Sequence, residues 1–252
     1  MSPRQAFRLA AGVVALSLLA GSASAWPFDL MHLLGRDARR MVPRSLARLL
    51  FEREDQILER LRRFPPELAQ PLAADMNAGG LSRETLQTLD AEASAIVELL
   101  TTKRVHEGLI RLGTLLRVPA DLADPALASG RRAYPPGVVR EYYAFIGSNL
   151  DKIPVVLEDE GSLELKRAEL PGYWQLVATR SHEQAPVIRD GLFKNGRLVD
   201  HRTLDFRSPV FGVGSISYSR AVTAIAATWM AIWREAGGDP TRTPPRTKVK
   251  AR

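Results

Sequence analysis

The sequence predicts an all-α fold, built as a single multi-helix domain. Apolar residues recur at spacings of three and four along most of the chain, which is the period of helices that bury one face. Alternating strand pairs, internal repeats and linkers are not evident in the sequence. The 252 residues include no cysteine, so the fold has no disulfides and its hydrophobic core must supply the stability.

The first predicted helices lie within residues 28–64, a stretch rich in Leu, Arg and Glu in which Pro43 separates two helices. Pro65 and Pro66 end this hairpin. Pro66 suits the first turn of the next short helix, which "MNAGG" (76–80) then terminates.

Ser82 is predicted to be the N-cap of a longer helix. Its apolar face comprises Leu86, Leu89, Ala93, Ile96 and Leu100. The helix that follows meets Pro119, and its face comprises Val105, Leu109, Leu112 and Leu116. The segment "ASGRRAYPPG" (128–137) is predicted to be a loop before another amphipathic helix, which carries Val138, Tyr142, Phe145 and Ile146.

The C-terminal half has weaker signals. The pattern is unclear over 152–167, and a helix is predicted at about 170–194 with a turn at "KNGR" (194–197). Residues 200–219 are predicted to be irregular. "GVGSIS" within them lacks the features of a phosphate loop or nucleophile elbow, so it is interpreted as the turn entering the last helix. That helix is predicted to end near Ala236.

Residues 1–25 are predicted to be a signal peptide, with Arg4 and Arg8 before an apolar run and Ala23 and Ala25 at the cleavage site. The run is short for a membrane span, which needs about 20 residues; an uncleaved anchor is the alternative. We therefore expect an exported protein, periplasmic or secreted, whose mature domain is 26–240. Without cysteine it has no lipoprotein anchor and no disulfide-linked partner.

The net charge of +7 comes from the two ends of the chain. The signal contributes two arginines and the tail "TRTPPRTKVKAR" (241–252) five basic residues, which leaves 28 basic and 28 acidic residues in the body. A nucleic-acid-binding domain usually carries a basic face of its own. The tail is predicted to be disordered, either merely solubilising or in weak contact with anionic lipid or nucleic acid.

In the segment "RLGTLLRVPADLADPAL" (111–127), four residues follow one another at spacings of four, four and two: Arg117, Asp121, Pro125 and Leu127. Together with a tryptophan directly after the predicted cleavage site, this segment resembles the motif H-x-x-x-D-x-x-x-P-x-H of the zinc-dependent phospholipase C and S1/P1 nuclease superfamily. Members of that superfamily are all-α exported phosphodiesterases with three zinc ions.

The resemblance implies four candidate metal ligands. Trp26 would bind through its terminal amine and carbonyl, and His32 follows one residue beyond the usual spacing. Asp121 matches the bridging carboxylate. Glu141, in "GVVREYYAF" (137–145), matches the Glu of the family's H-x-x-x-E. Each candidate also has an ordinary structural interpretation. Trp26 would then be a core aromatic and His32 an ordinary helix residue. Asp121 would cap a turn, and Glu141 would be a solvated carboxylate.

The sequence also departs from the family. Arg117, Leu127 and Gly137 stand where the family has histidines, and no His lies between His32 and His106 to supply the earlier ligand. We therefore expect a metal-depleted, non-catalytic protein without a cofactor, acting as a binding or structural module. The alternative is a zinc-dependent phosphodiesterase, of phospholipase C or nuclease type, with a reduced metal site.

Arg117 is predicted to replace the lost metal charge, forming an ion-pair network with Asp121 and Glu141, because a guanidinium is always charged and binds carboxylates well. The alternative places Arg117 in solvent at a helix C-terminus. His106 and His182 are predicted to be surface helix residues.

A further histidine, His201, lies in "DHRTLDFRSP", among the charged residues Asp200, Arg202, Asp205 and Arg207. Two interpretations stay open for it, a hydrogen-bonded cluster holding the loop or a catalytic His–Asp pair.

Overall fold

A computed structural model describes residues 26–128, 134–157 and 159–240. The predicted signal peptide (1–25) and basic tail (241–252) lie outside the described residues. The described chain is predominantly α-helical, which confirms the predicted fold class. Its buried apolar side chains form one contiguous cluster that includes Trp26 near one end and Ile232 near the other.

The helices are α1 (Phe28–Ala38), α2 (Arg44–Phe51), α3 (Glu54–Arg62), α4 (Pro66–Ala78), α5 (Arg83–Thr101), α6 (Val105–Thr114), α7 (Arg117–Leu122), α8 (Pro125–Ala128), α9 (Val138–Ser148), α10 (Leu170–Leu192) and α11 (Pro209–Glu235). Short 3₁₀ helices lie at Arg39–Met41, Leu150–Lys152, Glu160–Glu164, Arg167–Glu169 and His201–Thr203. Strands β1 (Phe193–Lys194) and β2 (Arg197–Leu198) form an antiparallel hairpin.

Several predicted helix boundaries are confirmed, because local chemistry sets them. Pro43 immediately precedes α2, and Pro66 opens α4. Gly79 ends α4 in the left-handed conformation, with φ of 93°. The Ser82 side chain accepts a hydrogen bond from the Thr85 backbone N–H at 3.2 Å, the predicted N-cap of α5.

Two details of the predicted helices are wrong. The segment 28–64 contains three helices rather than two, because the chain breaks again after α2 ends at Phe51. Arg53 Nη1 donates to the Leu49 carbonyl in the last turn of α2, at 2.8 Å. The turn at 194–197 joins a small hairpin where no strand pair was expected. Asn195 and Gly196 both have positive φ there, as a two-residue hairpin turn requires.

The "GVGSIS" segment is helical, so its interpretation as a turn is wrong. Helix α11 begins at Pro209, and Ser208 caps it by accepting from the Phe211 N–H at 3.2 Å. Gly214 serves packing rather than turning, since a Cβ there would lie 1.9 Å from Ile146 Cδ1 of α9. Glycine lets the two helices approach closely.

Helix α11 is the centre of the fold and packs against α1, α7 and α10. Among the described helices it is the one long and apolar enough to cross a membrane, but 78% of its most apolar window is buried inside the fold. Burial of that kind is typical of a core helix.

Helices α6 and α7 are separated by a short break at Leu115 and Leu116. Pro119 lies in the first turn of α7, where its missing N–H costs no helical hydrogen bond. Helix α7 is buried along its whole length, so the polar side chains of Arg117 and Asp121 enter the interior one turn apart.

Candidate functional site

The Arg117–Asp121 pair is a buried ion pair on α7. Arg117 Nε lies 3.2 Å from Asp121 Oδ2, and the two side chains are only 5% and 4% exposed. The guanidinium also lies over the Phe64 ring, 5.0 Å from its centroid. The structure thus brings together two of the three residues predicted for the network, inside the protein rather than at a solvated helix end.

Trp26 is fully buried beside this pair. Its Nε1 donates to the carbonyl of Ala120 at 2.9 Å, and its ring contacts Tyr143 and Tyr218 at centroid distances of 6.1 and 6.4 Å. The side chain is therefore a core aromatic, which was the alternative to a metal ligand in the sequence analysis. Residues 1–25 lie outside the described residues, so the terminal-amine ligand that the resemblance implies stays a prediction.

The two tyrosines around Trp26 each donate a hydrogen bond to a buried carboxylate. Tyr218 Oη lies 2.9 Å from Asp37 Oδ2, and Tyr143 Oη lies 2.5 Å from Asp124 Oδ2. Burial first, and then the nearby Asp37 charge, raise the pKa of Tyr218 well above its usual value, so it stays a donor. Sequence reasoning missed both aspartates, because their tyrosines are 181 and 19 residues away.

His32 lies apart from this polar core, on the half-exposed side of α1. Its Nε2 is 3.0 Å from Glu54 Oε1, which Arg39 Nη2 also contacts at 2.5 Å. The three side chains border a small, mainly apolar cavity between α1, α3 and α6. His32 therefore has Glu54 as its carboxylate partner, not Asp121.

Glu141 takes different partners from the predicted network. From α9, its Oε2 accepts from His201 Nδ1 at 2.7 Å and from the His201 backbone N–H at 3.2 Å. Its Oε1 accepts from Arg140 Nε and Nη2 at 3.2 and 3.0 Å. Both oxygens are thus used next to the 3₁₀ helix His201–Thr203, and Arg117 pairs with Asp121 without Glu141.

The hydrogen bonds around Glu141 favour its ionised form. The His201 ring contributes most, followed by the His201 backbone N–H, while burial opposes them and Arg140 adds a smaller effect in their favour. Together they lower the pKa of Glu141 to about 2. The carboxylate is therefore charged at any ordinary pH.

Asp200 completes this second group, which we call the His201 cluster (Glu141, Asp200 and His201). Asp200 Oδ1 accepts from the Arg202 N–H at 2.9 Å and lies 3.6 Å from His201 Nδ1. One donor atom from each of the three residues lies within 4.8 Å of the others. No other group of three His, Asp or Glu side chains in the described part of the chain meets that spacing.

The His201 cluster is open to solvent. With Leu198 and Arg202 it lines a surface pocket of about 260 Å³. Sequence reasoning found the His201–Asp200 neighbourhood but placed Asp205 and Arg207 in the same group. Those two instead form a local turn, in which Asp205 Oδ1 accepts from the Arg207 N–H at 2.9 Å.

The remaining histidines are exposed, as predicted. His182 nevertheless has a tertiary contact, since its Nδ1 lies 2.9 Å from the Ala128 carbonyl. Compared with family models, curated proteins and solved structures, the chain matches none of them.

Proposed function

We propose that this chain is an exported, non-catalytic binding or structural module on a fold of the zinc-dependent phospholipase C and S1/P1 nuclease type, in which an arginine has replaced the catalytic metal. The observation that carries the proposal is the buried ion pair of Arg117 and Asp121, 3.2 Å apart. In the alignment with the superfamily motif H-x-x-x-D-x-x-x-P-x-H, Arg117 occupies the position of the first histidine and Asp121 that of the aspartate.

Charge supports this proposal. A guanidinium beside Asp121 already supplies a permanent positive charge, and it would repel a metal cation at the same carboxylate. Asp121 is held through Oδ2 by a residue of its own helix, so the pair forms without any ligand.

Lack of access supports it as well. Zinc hydrolases keep one coordination position open for water and substrate. Here Arg117 and Asp121 are themselves 4% and 2% exposed, and Phe64, which lies over the guanidinium, is 7% exposed. A phosphodiester has no route to Asp121 through these side chains.

The test is metal content and activity of the full chain, purified without chelators or a histidine tag. We expect no zinc that depends on Asp121, and no hydrolysis of a nitrophenyl phosphodiester or of phosphatidylcholine above that of a matched Asp121→Asn variant. Stoichiometric zinc in the wild-type protein that is lost in Asp121→Asn would overturn the proposal.

A second candidate function is a metal-dependent phosphodiesterase with a reduced metal site. The observation that favours it is the His201 cluster, whose Glu141 is the carboxylate that the resemblance singles out and whose pocket is open. Metal-stimulated hydrolysis that is lost in His201→Ala and kept in His106→Ala would favour this function over the first.

A further inference from the structure

We propose that Glu141, Asp200 and His201 bind one divalent transition-metal ion, of which Zn²⁺ is the best fit, and that this ion fastens the segment after the β-hairpin to α9. The site uses none of the residues of the Arg117–Asp121 pair. It goes beyond the proposed function, which concerns that pair and requires no ion here.

The donor atoms have nearly the spacing that a zinc ion needs. With bonds of about 2.0–2.2 Å, the ligands of a tetrahedral site lie about 3.4 Å apart. His201 Nδ1 and Asp200 Oδ1 are 3.6 Å apart, which fits directly. His201 Nδ1 and Glu141 Oε2 are 2.7 Å apart, so these two atoms separate by less than about 1 Å as the ion replaces the shared proton.

The donor types select the class of ion. One imidazole nitrogen with two carboxylate oxygens suits Zn²⁺ and its neighbours in the first transition row better than Mg²⁺ or Ca²⁺, which prefer oxygen alone. Two carboxylates balance the charge of a divalent ion. All three residues line the surface pocket, from which water can reach the ion and complete its shell.

The surrounding structure holds these donors in place. Arg140 donates to the other oxygen of Glu141, and because its side chain is 75% exposed, water screens its charge as it cannot screen that of the buried Arg117. The His201 backbone N–H donates to Oε2. The Arg202 N–H holds the carboxylate of Asp200. Such hydrogen bonds orient metal ligands, and two of the three protein ligands, Glu141 and Asp200, are thereby held without an ion.

The site joins two parts of the chain that are distant in sequence. Glu141 lies on α9, whereas Asp200 and His201 follow the hairpin β1–β2 and precede α11. The contact between His201 and Glu141 spans 60 residues. An ion bound by all three would therefore restrain the connection between α10 and α11 against α9.

The experiment is titration of the untagged full chain with ZnCl₂ in a calorimeter, and with Co²⁺ followed by visible absorption. We expect one saturable site, with a Co²⁺ spectrum of low coordination number and nitrogen–oxygen ligation. His201→Ala and Asp200→Asn should each weaken binding at least about tenfold. His106→Ala, which removes an exposed helix histidine, should leave the affinity unchanged.

Two results would overturn this inference: an absence of saturable one-to-one binding, or equal affinity in Asp200→Asn, His201→Ala and wild type. Asp200 is half-exposed, so Asp200→Asn keeps the test valid if His201→Ala unfolds. Binding that depends on Asp121 but not on His201 would overturn both this inference and the proposed function. Binding that depends on His201 alone leaves the proposed function intact.

Discussion

The two carboxylate clusters of this protein differ in how far solvent reaches them. At Arg117 and Asp121 the charged atoms are inside the protein, with side chains 5% and 4% exposed. At Glu141 and His201 they lie at a pocket mouth, with side chains 11% and 19% exposed. The first pair is closed off from solvent, whereas the second cluster borders a surface pocket.

Burial also decides what each cluster contributes to stability. Removing one partner of a buried ion pair leaves a charge without compensation in a medium of low dielectric constant. At an exposed pair such as Arg48 and Glu52, water and salt replace the lost partner, and the loss is small. The comparison can therefore be tested by substitution, beginning with the largest expected effect.

Arg117→Ala should lower the free energy of unfolding by about 3 kcal/mol or more, because it removes the guanidinium that pairs with the buried Asp121 carboxyl group. Urea denaturation measures the change.

Arg48→Ala is the matched control for that substitution. It breaks a pair with Glu52 at the same four-residue spacing, but Arg48 is 75% exposed, so the cost should stay below about 0.5 kcal/mol. Equal losses in the two variants would show that Arg117 is not the buried partner of Asp121.

Tyr218→Phe should cost about 1.5–3 kcal/mol, because it removes the hydroxyl that donates to the buried Asp37 carboxylate while leaving the ring against Trp26. The measurement is again urea denaturation, with near-ultraviolet circular dichroism to verify that the aromatic packing is kept. A loss in the free energy of unfolding of under about 0.5 kcal/mol would mean that water reaches Asp37, and that the polar groups around Trp26 are not shielded from solvent.

Acid should reveal the contribution of Glu141. A carboxyl group whose folded pKa is depressed stabilises the protein fully above its unfolded pKa of about 4.3, and this contribution is lost as the pH falls towards the folded value of about 2. The stability difference between wild type and Glu141→Gln, measured with a chelator present, should therefore shrink across that window. A difference that stays constant from pH 6 to pH 3 would contradict the hydrogen bonds from His201.

The sequence predicts the Arg117–Asp121 pair better than the His201 cluster, and the reason is distance along the chain. Arg117 and Asp121 are one helical turn apart, so local geometry brings them together. Ser82 and Gly79 likewise act within a few residues. Glu141 and His201 meet across 60 residues, and no local pattern encodes that contact.

The same reasoning explains the wrong prediction for "GVGSIS". Glycines in a sequence usually indicate a turn. Gly214, however, is needed because Ile146 of α9 packs against its backbone, which is information held in another helix. The resemblance to a known superfamily had the same limit, since it offered Glu141 as a partner of Asp121 without the tertiary contacts that assign it to His201.

The smallest effect is expected from deleting residues 241–252. This segment has five positive charges, two adjacent prolines and almost no apolar side chains, so it has little surface to bury against the cost of ordering it. Its charges are screened beyond about 8 Å at physiological salt. The thermal midpoint of the shortened protein should therefore equal that of the full chain, and the losses in Arg117→Ala and Tyr218→Phe should be the same in both backgrounds. A midpoint lower by several degrees would show that the tail packs on the body, and a changed loss in either variant would show that it packs near the buried carboxylates.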